Sequence, residues 1–143
     1  MKRRSFIKSS CNVCLLGAAG YLGSSLSACG PAAWSVFKAD VIDDQVLLPL
    51  ASFPPSGFQL VRPSGSYYNI AVQKKENDQF EALLLKCTHQ DNQLVRGGNG
   101  YSCNLHGSQF DNEGKATKGP AERQLKRYRT ATTPDKLIIY LKS

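Results

Sequence analysis

Cys87-Thr88-His89 and Cys103-Asn104-Leu105-His106-Gly107-Ser108-Gln109-Phe110 decide how this chain is read. Each stretch offers one thiolate and one imidazole, thirteen residues lie between them, and together they use both histidines in the sequence. Such a set reads as one metal site. Zinc sites built from two cysteines and two histidines usually pair like with like, cysteines on one element and histidines on another. Here each arm is mixed. That suits a dinuclear centre in which one metal takes both sulfurs and the other both nitrogens, since each loop then gives one ligand to each metal. A mononuclear zinc site stays open at this point. So does a Cys/His nucleophile pair, although a hydrolase needs one such pair with an orienting third group, and nothing accounts for the duplicate.

The two boxes, together with Gly119-Pro120-Ala121, resemble the cluster-binding segments of the Rieske family, and the similarity runs from about Val46 to the C-terminus. The resemblance implies a [2Fe-2S] cluster with Cys87 and Cys103 on one iron and His89 and His106 on the other. Gly119 and Pro120 would belong to the loop that covers it. Ser108 matches a serine that hydrogen-bonds to cluster sulfur in the Rieske subunits of quinol:cytochrome oxidoreductases. Phe110 stands where those subunits have a tyrosine, and it has no hydroxyl to donate. They also tie their two loops with a disulfide, and this chain has Asn92 and Leu105 at the matching positions. Rieske ferredoxins and oxygenase components share that loss.

What the resemblance implies about function is one-electron transfer by a membrane-anchored subunit or partner of an oxidoreductase, of which the quinol:cytochrome type is one form. Its partners would be a cytochrome or membrane oxidoreductase subunits, and quinol is a further candidate. An oxygenase would need a second iron site with two more histidines, and the sequence has none to spare. The alternative is a structural zinc-binding module of an exported lipoprotein. Without a hydroxyl at Phe110, the potential is expected to lie below that of the quinol-oxidising members.

Residues 1–28 read as an export signal. Lys2-Arg3-Arg4-Ser5-Phe6-Ile7-Lys8 resembles a twin-arginine signal, a route for proteins that have already folded, and an apolar Gly-, Ala- and Ser-rich run follows it. Leu26-Ser27-Ala28-Cys29 resembles a lipobox, which makes Cys29 the lipidated first residue of the mature chain. Residues 12–28 would extend only about 25 Å as a helix against a hydrocarbon core of about 30 Å, so a lipid anchor is favoured over an uncleaved anchor helix. The protein is then expected to be exported and membrane-anchored, facing the periplasm or cell exterior. Residues 29–44 read as a lipid-anchored tether or an irregular edge lead-in, and 45–143 as the Rieske domain.

Cysteine usage agrees with this division. Of five cysteines, Cys11 and Cys14 leave with the signal, Cys29 takes lipid, and Cys87 and Cys103 bind metal. The formal charge of +7 falls to +3 once Lys2, Arg3, Arg4 and Lys8 are removed, too mild to argue for nucleic acid. Lys126, Arg127 and Arg129 are expected to form the solvated face of a strand.

After Gly30 the chain consists of short apolar runs punctuated by Pro54-Pro55-Ser56-Gly57, Pro63-Ser64-Gly65-Ser66 and Lys75-Glu76-Asn77-Asp78. Tyr67 to Val72 and Phe80 to Lys86 flank the last of these, a hairpin that would deliver Cys87 from a strand end. The expectation is an all-β, Rieske-like antiparallel sandwich or barrel with a cluster-binding subdomain of two loops. Gly97, Gly98 and Gly100 read as hairpin glycines.

Overall fold

Short apolar runs interrupted by turns can satisfy their backbone groups only by pairing with one another, and they do so in the computed structural model, which describes residues 34–142. The signal at 1–28 and the lipidation at Cys29 lie outside the described residues. In chain order the strands are β1 (Val36–Ala39), β2 (Val41–Ile42), β3 (Gln45–Pro49), β4 (Phe58–Pro63), β5 (Ile70–Lys74) and β6 (Phe80–Leu84). They continue with β7 (Val95–Gly97), β8 (Gly100–Ser102), β9 (Gln109–Asp111), β10 (Ala116–Lys118), β11 (Arg127–Thr132) and β12 (Lys136–Tyr140). The helical pieces among the described residues are two 3-10 turns, Leu50–Ser52 and Glu76–Asp78.

Eight strands form one sheet in the order β1-β4-β5-β6-β11-β12-β3-β2. Its two edge strands, β1 and β2, are separated along the chain by Asp40 alone, so the sheet must curl until its ends meet, and the result is a nearly closed barrel. Its interior follows the strand period of two: Val46 and Leu48, Val61, Ile70 and Val72, Ala82, Leu137 and Ile139 are buried together. Each of the Val, Leu and Ile side chains contributes roughly 1.5–3 kcal/mol relative to exposure.

Two expectations are corrected here. The pairing is not antiparallel throughout, because β1 runs parallel to β4, with Val36 opposite Leu60 and Ala39 opposite Pro63. For the same reason the segment read as a tether is strand from Val36 onward. Capping the β4 edge buries Ala39 and packs Phe37 and Val41 against the core, while the Trp34 ring meets Phe58 edge-on at 5.1 Å.

The β5–β6 hairpin forms as expected around the Glu76–Asp78 turn. Unlike the barrel's other strands, β4, β5 and β6 are buried on both faces: Phe58, Leu60, Ala71 and Leu83 point outward into a second core completed by Leu85, Leu94, Tyr101, Phe110, Leu125, Cys87 and Cys103. This second core sits under a small sheet of order β10-β9-β8-β7. The subdomain expected as two loops is therefore a four-stranded meander that carries loops, and its three-residue strands are too short to show a period.

Arg127 is exposed, as expected of a solvated strand face, and it also reaches a buried acid. Its guanidinium is ion-paired with Glu81, a buried carboxylate on β6, and donates to the Glu113 carbonyl at 3.1 Å. Lys75 Nζ lies 2.8 Å from Oε2 of the same carboxylate, a charge contact without hydrogen-bond alignment.

Gly100 does more than turn a hairpin. A Cβ there would stand 2.0 Å from the Phe110 carbonyl oxygen, so β8 and β9 can meet only because the side chain is missing. Gly100→Ala is expected to destabilise the protein by about 2 kcal/mol or more. Thermal unfolding of the variant checks this, and a melting temperature equal to wild type would contradict it.

Candidate metal centre

Each box is a loop pinned at its cysteine. On leaving β6, Leu85 N–H donates to Asn69 O at 2.8 Å, Leu94 N–H returns to Leu85 O at 2.9 Å, and Cys87 N–H closes on Asn92 O at 2.9 Å. Residues 88–91 project from this ladder. The second loop leaves β8 the same way: Cys103 N–H donates to Ser108 O at 2.9 Å and Gly107 N–H to Cys103 O at 3.0 Å. Gly107 makes that tight return with φ near +78°, a backbone angle that suits glycine.

The four donors separate by burial. Cys87 and Cys103 are 1% and 2% exposed and belong to the second core, whereas His89 and His106 stand in solvent. The imidazole rings face each other edge-on with centroids 5.0 Å apart. Burial pushes the Cys103 thiol up, but the Asn92 amide, the backbone N–H groups of Leu105 and His106, and Cys87 all favour its thiolate, and the net shift is downward. Among the described residues, no three Cys, His, Asp or Glu side chains converge as the ligands of a single ion. The arrangement is a pair of sulfurs beneath a pair of nitrogens.

A family model described as Rieske [2Fe-2S] domain matches residues 45–129. The chain belongs to the Rieske family. Among solved structures it resembles the plasma membrane Rieske protein PetC3 of the cyanobacterium Synechocystis PCC 6803, at 24% identity and a TM-score of 0.53, over 64% of this chain and 93% of that one. It also resembles naphthalene 1,2-dioxygenase at 18% identity and a TM-score of 0.54, over 68% of this chain but 26% of the larger one. A third neighbour is a chain of a hyperthermophilic respiratory complex III, at 18% identity and a TM-score of 0.50, with 95% of this chain and 99% of that one covered. No curated protein sequence matches the chain.

The Rieske domain binds a [2Fe-2S] cluster, and the side chains present fit one. Cys87 and Cys103 would hold one iron from inside the core, and His89 and His106 the other at the surface. Ser108 adds an independent sign: its side chain is fully buried, its Oγ accepts the Ala121 N–H at 3.0 Å, and its own O–H has no assigned acceptor among the described residues. A buried donor of that kind suits cluster sulfur. Phe110 is buried in the same core and has nothing to donate.

Residues 119–123 tie both boxes together. Ala121 reaches the second through Ser108, while the first is held reciprocally: Thr88 Oγ1 donates to Arg123 O at 2.7 Å and Arg123 Nη2 to Thr88 O at 3.1 Å. Pro120 is exposed and lines a hollow with Thr88, His89, Glu122 and Arg123. Sequence reasoning missed the Thr88–Arg123 tie and the role of Asn92. Neither leaves a local signal, since Thr88 and Arg123 are 35 positions apart and Asn92 and Cys103 are 11.

Ser108→Ala should lower the reduction potential. Hydrogen bonds to sulfur offset the extra negative charge of the reduced state, and a charge-assisted bond contributes roughly 1.5–3 kcal/mol. If about half of this separates the redox states, the fall is roughly 30–60 mV at 59 mV per tenfold for one electron. Protein-film voltammetry reads it directly, and an unchanged potential in a fully loaded variant would refute the bond.

Proposed function

We propose that the protein carries single electrons between redox proteins through a cluster held by Cys87, His89, Cys103 and His106. The carrying observation is the burial asymmetry: two cysteines lie within the core and two histidine rings stand in solvent beside each other. A Rieske cluster supplies reversible one-electron exchange, with histidine ligation setting potentials between about −150 and +300 mV. The protein's part is to present the histidine edge to a partner and to keep water from the sulfur side. It also holds both loops in one geometry, by bonds made at each cysteine and through Ser108 and Thr88.

The zinc-module alternative predicts different metal content. Anaerobically purified protein should contain two irons and two acid-labile sulfides per chain, absorb in the visible, and give a Rieske EPR signal on reduction. His106→Ala should lose that signal. One zinc per chain without iron, or an unchanged spectrum in the variant, would overturn the reading.

We further propose that the carrier works at a membrane on the exported side, as a subunit or partner of an oxidoreductase such as one passing electrons from quinol to a cytochrome. The lipobox-like Leu26-Ser27-Ala28-Cys29 supports this, as does a route suited to proteins exported with cofactor in place. Cys29→Ser should abolish labelling by a radioactive or clickable fatty acid and block processing. Wild-type protein recovered from membranes with Met1 intact would instead favour an uncleaved anchor helix.

A further inference from the structure

Asn92 and Leu105 stand at the positions that the resemblance matches to the disulfide cysteines, and Leu105 is 55% exposed. The Asn92 backbone carbonyl accepts the Cys87 N–H at 2.9 Å, which closes the first loop. Its side-chain Nδ2 lies 3.5 Å from Cys103 Sγ, in the other box. One residue thus touches both cysteines. We propose that Asn92 is a positioning and tuning residue, whose amide donates a hydrogen bond across the loops to the Cys103 ligand sulfur in place of the covalent staple.

The chemistry restricts the contact to one sense. A metal-bound thiolate has no proton to give, so the amide must present its NH₂ group and not its oxygen. Asn92 is half-buried, which limits competition from water, and its main chain is already fixed by Cys87, so little freedom is lost in aiming the side chain. A donor at sulfur favours the reduced, more negative state. Asn92 therefore raises the potential, opposing the loss of the tyrosine hydroxyl at Phe110. A disulfide would hold the loops without donating to this sulfur, so the substitution exchanges a covalent constraint for an electrostatic one.

This inference rests on the Rieske reading above, and the test separates the two. Full-length wild type, Asn92→Leu and Asn92→Asp are compared by protein-film voltammetry and by resonance Raman of the iron–cysteine stretching bands. In Asn92→Leu the equilibrium constant for reduction should fall roughly three- to tenfold, which at 59 mV per tenfold for one electron is about 30–60 mV. The iron–cysteine bands should shift, because the sulfur has lost its donor. Asn92→Asp, of the same size but with no donor and a negative charge, should fall further. Loaded variants with wild-type potential and unshifted bands would overturn the proposal. Wild type with asparagine labelled at the side-chain nitrogen keeps it decidable if neither variant loads. Pulsed EPR of the reduced protein should detect a weakly coupled ¹⁵N, and its absence beside a normal Rieske signal would overturn the role of Asn92 alone. A wild type with no Rieske signal overturns the reading beneath it.

Discussion

The candidate metal centre depends on two backbone hydrogen bonds, Cys87 N–H to Asn92 O and Cys103 N–H to Ser108 O, each crossing the base of a loop. They keep both thiols facing the core while the intervening residues carry the imidazoles outward. A cysteine that turned outward would lose its low-dielectric setting and its donors together, and a histidine that turned inward would leave solvent. The asymmetry of the site is thus a property of loop closure more than of the ligand types. Because Cys87 and Cys103 are themselves members of the second core, folding and site formation are one process.

That second core explains why the central strands are apolar on both faces. β4, β5 and β6 serve the barrel interior with Val61, Ile70, Val72 and Ala82, and the small sheet with Phe58, Leu60, Ala71 and Leu83. An element shared by two cores couples them, since slipping β6 by one residue would exchange the two sets of side chains. Among the described residues Glu81 is the one buried acid, and it is matched by Arg127 from the neighbouring strand β11. The two cores together give the loops a packed scaffold behind them.

Residues 119–123 and Asn92 link the two ligand loops without a covalent bond. A disulfide between two loops typically contributes about 2–4 kcal/mol. A single hydrogen bond contributes about 0.5–1.5 kcal/mol net. Ser108 with Ala121, the reciprocal Thr88–Arg123 pair and Asn92 with Cys103 make four such bonds, enough together to match the missing covalent bond in magnitude. They differ in kind, because the Asn92 amide lies against the Cys103 sulfur and the Ser108 hydroxyl is buried, whereas a disulfide presents no hydrogen-bond donor.

The sequence by itself determined the chemistry and the local structure. Cys87, His89, Cys103 and His106 stand out because ligand spacing within a loop is a short-range property, and the β5–β6 hairpin was legible because its strands and turn are contiguous. The parallel pairing of β1 with β4 was not legible, nor the strand character of residues that read as a tether, since neither leaves a trace in nearby residues. The small sheet escaped because three-residue strands carry no measurable period, and Gly100 looked like any turn glycine until the Phe110 carbonyl came against it. Only the tertiary structure decided which donors are buried and which exposed, that Arg127 serves a buried acid, and that Asn92 reaches Cys103. Burial and partnership are set by contacts between residues far apart in the chain, and it is the packing of the whole domain, not any single segment, that selects them.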